Sequence, residues 1–360
     1  MEPKWLHWAR RLEALAQSGL AYTQNPNCKG YSDFRKMFED KNIQGIFVGT
    51  PDHWHTMLTV MACAAGKDVY VEKPLTVYVN EGKWMIQARD KYKRQVIVGN
   101  QRNQNPAHLE ARKIVKSGVL GKIHMVKLAG SSRNIYPGFG KTPVENPPAD
   151  LDYDMWLGPA PKKPYQNHRA LYHFRWFWDY SGGQLTNLGA HSISAFLRTM
   201  DVKGPSKIVS FGGRELLEDD GETPDTQEVI YEFPEGFRMT TDIREANAYR
   251  YSSGSVVMGT KGNLILGSNT IVSELRNNPF NLVPRGGDGH PIGGVVYDDT
   301  KPVPWIEGLP AADAPAGAAR RERGAPRPAS NLAPADFPGE DMLYLNQRDF
   351  VECIRDRNRK

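Results

Sequence analysis

The sequence predicts an α/β protein, in which a parallel-sheet domain is followed by a second α/β domain with an open, mainly antiparallel sheet. Two observations lead to this prediction. Residues 44–99 alternate short apolar runs with helical patterns, as strand–helix–strand units do. Beyond residue 124, short runs of alternating apolar and polar residues recur, as expected of antiparallel strands. A chain of 360 residues with 39% hydrophobic and 24% charged residues is long enough for two domains.

Two strand–helix–strand units make up the first domain. The first unit consists of strand 44–50, helix 56–65 and strand 68–71. In the second unit, Asn80 is the expected N-cap of the next helix, and residues 96–99 form the next strand. Strands connected by a crossover helix lie parallel in one sheet, so we expect three parallel neighbours.

Polar residues follow each of these strands at the point where the strand ends. They are Thr50-Pro51, Glu72-Lys73-Pro74 and Asn100-Gln101-Arg102. Because the carboxyl ends of parallel strands meet at one edge, and ligands collect there, we expect a binding site at that edge. The alternative for Glu72 and Lys73 is a surface ion pair at a strand end.

The second domain begins with a helix at 106–117 and a strand at 124–128. Further strands are predicted at 207–211, 228–233, 237–243, 255–258 and 263–266, with the last two joined as a hairpin by the turn 259–262. One open sheet with helices on one face accounts for this order. The expected limits are 1–100 for the first domain, 101–345 for the second with a flexible, Ala- and Pro-rich insertion at 308–340, and 346–360 for a C-terminal helix.

Several motifs resemble the Gfo/Idh/MocA family of NAD(P)-dependent oxidoreductases, which act mainly on sugars and cyclitols. They are Gly30-Tyr31-Ser32-Asp33-Phe34, Thr50-Pro51 with His55, Glu72-Lys73-Pro74, the run 117–123, and Gly182-Gly183 leading to Gly189-Ala190-His191. No single motif is decisive, but their order and spacing are specific to the family. The resemblance implies a Rossmann-type first domain, NAD or NADP as the cofactor, and a C-terminal helix that packs back on the first domain.

The resemblance also implies roles for particular residues. Lys73, His191 and Asn187 would be catalytic, although Asn187 stands where the family usually carries Asp, and Ser194 departs from the pattern in the same way. The cofactor would be bound by Thr50, Pro51, His55, Glu72, Lys73, Asn100 and Gln101. The substrate would be bound by Arg102, Tyr165, Arg175 and Asp179. The last two lie in an aromatic-rich segment that is expected to form either a domain-interface core or a wall of the sugar pocket.

The implied reaction is hydride transfer between the nicotinamide and a sugar-like alcohol, with His191 as proton acceptor and Lys73 stabilising the developing alkoxide. Two alternatives exist on the same scaffold. One is an enzyme that cleaves glycosides with tightly bound NAD, and the other is a non-catalytic carbohydrate-binding member that has lost nucleotide binding. Net turnover of the cofactor would distinguish the dehydrogenase from the glycoside-cleaving enzyme. Nucleotide binding would distinguish both of these enzymes from the non-catalytic member.

The amino-terminal part of the chain departs from the family pattern. A strand, a Gly-x-Gly-x-x-Gly turn and a helix are expected to open a dinucleotide domain, yet residues 1–20 have the spacing of an amphipathic helix. Two explanations are open: a truncated or misplaced start, or a genuine loss of nucleotide binding with the sugar scaffold retained. We favour the first, because Lys73 and His191 are present.

Composition argues against several other classes of protein. The net charge of +5 is modest and no basic stripe is interleaved with aromatics, so we expect no nucleic-acid partner. Three scattered cysteines provide neither a disulfide framework nor a metal site. Neither an apolar run of bilayer length nor a signal-peptide layout is present, which predicts no membrane association and a cytoplasmic location. The resemblance implies a homo-oligomer formed through the sheet of the second domain.

Overall fold

The computed structural model describes residues 30–131, 135–170, 172–246, 254–272 and 342–356. The expected helix at 1–20 and the insertion at 308–340 lie outside the described residues. The chain forms two compact units divided between Gln44 and Gly45. Of the first unit the structure describes α1 (Phe34–Glu39), whose N-cap Asp33 accepts a hydrogen bond from the backbone N–H of Arg35. Across the described ranges, no helix has both the length and the apolar character needed to cross a membrane.

The second unit opens with a three-stranded parallel sheet in the order β1-β2-β3, which confirms the predicted pair of strand–helix–strand units. Its elements are β1 (Gly45–Val48), α2 (Asp52–Ala64), β2 (Asp68–Glu72), α3 (Val79–Tyr92) and β3 (Val96–Gly99). The strands are the predicted ones within two residues at either end.

Two helix starts differ from the prediction. Helix α2 begins at Asp52, directly after Pro51, and not at residue 56. Proline fixes a backbone angle that suits a helix start, so the expected loop is the first turn of the helix. Helix α3 has Tyr78 and not Asn80 at its N-cap. There the Glu81 carboxylate accepts hydrogen bonds at 2.9 Å from the backbone N–H groups of Val77 and Tyr78, which fixes the chain segment that leads into the helix.

A seven-stranded mixed sheet forms the second half of this unit, in the order β10-β9-β8-β4-β7-β6-β5. Its strands are β4 (Ile123–Lys127), β5 (Lys207–Gly213), β6 (Thr226–Glu232), β7 (Arg238–Arg244), β8 (Val256–Gly259), β9 (Asn263–Ile265) and β10 (Thr270–Val272). Only the β4–β7 pair is parallel, so the predicted, mainly antiparallel sheet and its β8–β9 hairpin are confirmed.

One face of this sheet packs against α4 (Pro106–Ser117) and α6 (Ala190–Met200). The core between them contains Ile114 and Phe196 from the helices and Val126, Met239 and Leu264 from the strands. The other face carries exposed apolar side chains, as the strand register requires. These are Met125, Val209, Phe211 and Ile230.

Short elements between β3 and α6 carry several of the candidate site residues. They are a 3₁₀ turn (Gln101–Gln104), α5 (Tyr153–Leu157), 3₁₀ turns at Asn167–Arg169 and His173–Trp176, and a π-helical turn (Leu185–Gly189) that runs directly into α6. The sequence predicts one regular helix from residue 184 to 200. The π-helical turn changes the direction in which Asn187 points relative to that prediction.

The last helix, α7 (Met342–Asp356), lies against the parallel sheet. Phe350 is 1% exposed, and its ring lies 5.4 Å from the ring of Phe47 and 5.8 Å from that of Tyr70. A side chain at Gly45 would come within 2.9 Å of Ile354, so glycine is what allows the helix to approach β1 this closely.

Candidate active site

The carboxyl ends of the three parallel strands lie at one edge of their sheet. β1 ends shortly before Thr50, β2 ends at Glu72 beside Lys73, and β3 ends directly before Asn100. Parallel pairing in register therefore brings the three predicted segments together. The edge also has space, because a side chain at Gly49 would meet no atom within 4 Å. This is the position at which open parallel sheets bind their ligands.

Lys73 is held by the π-helical turn. Its half-buried Nζ donates to both the backbone O and the side-chain Oδ1 of Asn187, each at 2.9 Å. The amide nitrogen of Asn187 donates in turn to Oε1 of Gln184 at 3.1 Å, and Gln184 is 1% exposed. Each polar atom of the Asn187 amide thus has a defined partner, which directs its oxygen at the ammonium. Sequence reasoning missed Gln184, although it directly follows the predicted Gly182-Gly183 motif.

The orientation of His191 is set by Asn100. Nδ2 of Asn100 donates to the backbone O of Ala190 at 3.2 Å, which leaves its Oδ1 facing Nδ1 of His191 at 3.4 Å. An amide oxygen can only accept a hydrogen bond, so Nδ1 of His191 carries the proton and donates the hydrogen bond. Nε2 of His191 therefore keeps its lone pair. The structure therefore gives Asn100, predicted to bind cofactor, a positioning role toward His191.

His191 is kept neutral by its surroundings. Burial lowers the pKa of His191 to about 4, and the nearby positive charges of Lys73 and Arg102 add to the effect. A carboxylate at position 187 would oppose this, but Asn187 brings no charge. The neutral imidazole is able to accept a proton over most of the pH range.

Arg102 and Gln101 belong to the 3₁₀ turn that follows β3. Arg102 donates to Oγ of Ser192 at 3.2 Å, which places its charge beside His191. In the same turn, Asn103 accepts a hydrogen bond from Oγ of Ser194 at 2.9 Å. Ser194, a departure from the family pattern, is thus used to dock α6 on this turn.

His55 braces the strand ends from within the protein. It is 1% exposed, with Nδ1 2.7 Å from the carbonyl O of Pro74 and Nε2 3.0 Å from the carbonyl O of Thr50. Both ring nitrogens therefore face backbone carbonyls of this chain. The predicted contact between His55 and a cofactor finds no support in these bonds, and the ring instead links the ends of β1 and β2.

The contacts of Tyr165 and Asp179 are with residues other than those at the strand ends. Tyr165 is 3% exposed and packs edge-on against Tyr153 at 5.2 Å. Asp179 forms ion pairs with Lys163 and Arg169. The substrate-binding role of these two residues stays a prediction, since these contacts do not test it.

Arg175 lies closer to the strand ends. Its guanidinium packs over the ring of Phe174 at 4.5 Å and donates to the carbonyl O of Tyr172 at 2.8 Å. Its charge also acts on Asp52, at the start of α2. Asp52 was not among the predicted site residues, although an acidic residue in the first turn after a strand end is a signal that could have identified it.

Similar proteins of known activity include dehydrogenases of cyclitols and anhydrosugars. Inositol 2-dehydrogenase of Salmonella typhimurium is 29% identical over 133 residues, which are 36% of this chain and 39% of that protein. The NAD(+)-dependent scyllo-inositol 2-dehydrogenase of Bacillus subtilis is 22% identical over 265 residues, which are 71% of this chain and 66% of that protein. The chain spans about two fifths of the length of the inositol 2-dehydrogenases it matches.

Solved structures share the fold. Levoglucosan dehydrogenase in complex with NADH and levoglucosan superposes with a TM-score of 0.54 at 18% identity, covering 74% of this chain and 66% of that one. The WlbA dehydrogenase of Bordetella pertussis, in complex with NADH and UDP-GlcNAcA, gives a TM-score of 0.50 at 18% identity, covering 69% and 64%. At this level of identity the likeness establishes the α/β fold.

Two family models match successive parts of the chain. Residues 9–100 match the NAD-binding Rossmann fold of the oxidoreductase family, and residues 105–277 match the C-terminal α/β domain of the same family. The predicted nicotinamide-dinucleotide domain is thereby confirmed. Because the two matches together cover well over half of its length, the chain belongs to the Gfo/Idh/MocA oxidoreductase family.

Proposed function

We propose that this protein transfers a hydride between NAD and a secondary hydroxyl group of a sugar or cyclitol. The observation that carries the proposal is the pairing of a neutral, oriented His191 with the Lys73 ammonium at the carboxyl edge of a parallel sheet. Oxidation of an alcohol needs a proton acceptor and a cation beside the same oxygen, and these two side chains are such a pair. The inositol and levoglucosan specificities of the similar dehydrogenases support the substrate class.

The residues at the strand ends fit a nicotinamide dinucleotide. Such cofactors bind at the carboxyl ends of parallel strands, and there is open space beside Gly49 at this edge. The residues that lie there are Thr50, Pro51, Glu72, Lys73, Asn100 and Gln101. When bound there, the dinucleotide supplies the hydride acceptor. We assign NAD and not NADP as the cofactor, because one similar dehydrogenase uses NAD(+) and another is in complex with NADH.

The proton is handled by this chain's own residues. Nε2 of His191 takes the hydroxyl proton as the C–H bond of the same carbon is broken. Its Nδ1–H stays directed at Asn100, so the imidazolium that forms keeps its orientation. Lys73 donates a hydrogen bond to the hydroxyl oxygen while negative charge develops there, and Asn187 aims the ammonium.

The test has two steps and separates three functions. The 360-residue protein is titrated with NADH, followed by nicotinamide fluorescence, and then assayed at 340 nm with NAD and a panel of inositols, levoglucosan and aldoses. Saturable binding with NADH formation on one of these alcohols supports the dehydrogenase. Retained NAD with glycoside cleavage and no net NADH would support the glycoside-cleaving alternative. Sugar binding by a folded protein that does not bind NADH would support the non-catalytic alternative.

We also propose that two copies associate through the open face of the seven-stranded sheet. The apolar side chains of Met125, Val209, Phe211 and Ile230 on that face are between 39% and 75% exposed. An exposed apolar patch of this kind marks an interaction surface. On the same face Glu232 pairs with Lys207 at 2.9 Å and with Arg238 at 3.5 Å, so both signs of charge are present, as a two-fold interface of identical surfaces needs.

A further inference from the structure

Asp52 is a buried carboxylate that the proposed reaction does not use. It is the first residue of α2, shortly after the end of β1, and is 7% exposed. Oγ of Ser181 donates a short hydrogen bond to its Oδ2. A carboxylate at a helix start is stabilised by the helix dipole, but burial of a charge is costly unless cations lie nearby.

Burial is the largest influence on Asp52 and raises its pKa overall. The Ser181 hydrogen bond and the basic groups of His55, Arg175 and Lys73 act in the opposite direction. The hydrogen bond to Ser181 is therefore the direct contact that links Asp52 to the rest of the site.

The bond to Ser181 also connects two parts of the site. Ser181 lies six residues before Asn187, on the same segment, and Gly183 between them has a φ of +69° that makes a tight turn possible. The parallel sheet thus holds this segment at two points: Asp52 binds Ser181, and Lys73 binds Asn187. The residues that follow lead to His191.

We propose that Asp52 is a positioning residue, whose hydrogen bond with Ser181 fastens this turn so that Asn187 and His191 face the strand ends. Its importance for turnover rests on the proposed function, but the attachment itself is measured without turnover. Asp52→Asn keeps an oxygen that accepts the Ser181 bond, whereas Ser181→Ala removes the bond.

The attachment is measured by hydrogen–deuterium exchange of the amides in residues 181–191 of the full-length protein. We expect faster exchange in Ser181→Ala, and near wild-type exchange in Asp52→Asn, the conservative variant that keeps the acceptor. Unchanged exchange in Ser181→Ala would overturn the proposal. Circular dichroism checks folding, and the readout needs neither NADH nor substrate, so a failure of the proposed function would leave the result interpretable.

Discussion

The amide of Asn100 determines how His191 can act. The sequence alone does not show which nitrogen of a histidine is protonated. The hydrogen bond from Asn100 to the carbonyl of Ala190 fixes the orientation of the Asn100 amide. The oxygen of that amide then faces Nδ1 of His191 and sets the tautomer of the imidazole. Lys73 is controlled in the same way, by the amide of Asn187. Two neutral amides therefore orient His191 and Lys73 without adding charge beside them, which leaves the pKa of His191 low.

Replacing Lys73 tests the charge-stabilising role. We expect Lys73→Ala to lower kcat about 10²- to 10³-fold, the usual cost of losing one donor to a developing oxyanion. Its effect on thermal stability is expected to be small, because the side chain is half-buried and its partner Asn187 keeps the bond to Gln184. The comparison is kcat and Tm for Lys73→Ala against Lys83→Ala, an exposed lysine on α3. Wild-type rates in Lys73→Ala would contradict the assignment.

The pH dependence of activity tests His191. The active form is the neutral imidazole, and the pKa of His191 is lowered to about 4. Because the neutral form persists down to that value, kcat/KM is expected to fall only as the pH drops through about 4, and not near the ordinary value of 6.5. Arg102→Gln removes one of the positive charges and is expected to move this limb to higher pH. A limb near pH 6.5 in both proteins would contradict the assignment.

At the scale of single elements, the site depends on where helices begin and how they pack. Helix α2 starts at Asp52, shortly after the end of β1, which places a carboxylate where a loop was predicted. The π-helical turn before α6 lets both the carbonyl and the side chain of Asn187 face Lys73. Helix α7 packs Phe350 on the sheet beneath the strand ends, with Tyr70 and Phe47 as its neighbours.

Two adjacent residues of α7 provide a matched test of this packing. Phe350 is 1% exposed, whereas Val351 is 57% exposed. We expect Phe350→Ala to destabilise the protein by about 3–5 kcal/mol, the usual cost of removing a buried aromatic ring, and Val351→Ala to stay within about 0.5 kcal/mol of wild type. Urea unfolding followed by circular dichroism measures both. Similar unfolding midpoints for the two variants would show that α7 does not pack as described.

At the scale of the whole molecule, the two faces of the seven-stranded sheet differ. One face is covered by α4 and α6, and alternate residues of the strands fill that core. The residues between them point to the opposite face, because side chains of a strand alternate, and there Phe211 is 75% exposed. A large sheet with one apolar face left open is consistent with assembly.

Sedimentation velocity tests this surface. We expect the wild-type protein to sediment as a dimer or a larger closed oligomer, and Phe211→Glu to shift it toward the monomer, because a charge would be buried at the interface. Trp84→Glu is the control, since Trp84 is 55% exposed on α3 and lies outside the open face. A monomeric wild-type protein, or an equal shift in the control, would contradict the proposed interface.

Local patterns in the sequence were sufficient for the fold class and the family. The apolar periods of residues 44–99 predicted three parallel strands, and all three are present in register. The hairpin around 259–262 was predicted from its turn residues and is confirmed. Local patterns failed at helix starts, where Tyr78 is the N-cap of α3 and Asn80, the expected N-cap, lies inside the first turn. Such choices depend on competing short-range hydrogen bonds that residue type alone does not rank.

By itself, the sequence determined the order of strands and helices and the family, because hydrophobic period and motif spacing are properties of neighbouring residues. Only the tertiary structure decided what the site residues do. Asn100 meets His191 across 91 positions, Lys73 meets Asn187 across 114, and Asp52 meets Ser181 across 129. The tautomer of His191, the bracing role of His55 and the engagement of Tyr165 elsewhere all follow from such long-range contacts, since hydrogen bonding and burial are set by the folded neighbours and not by the chain.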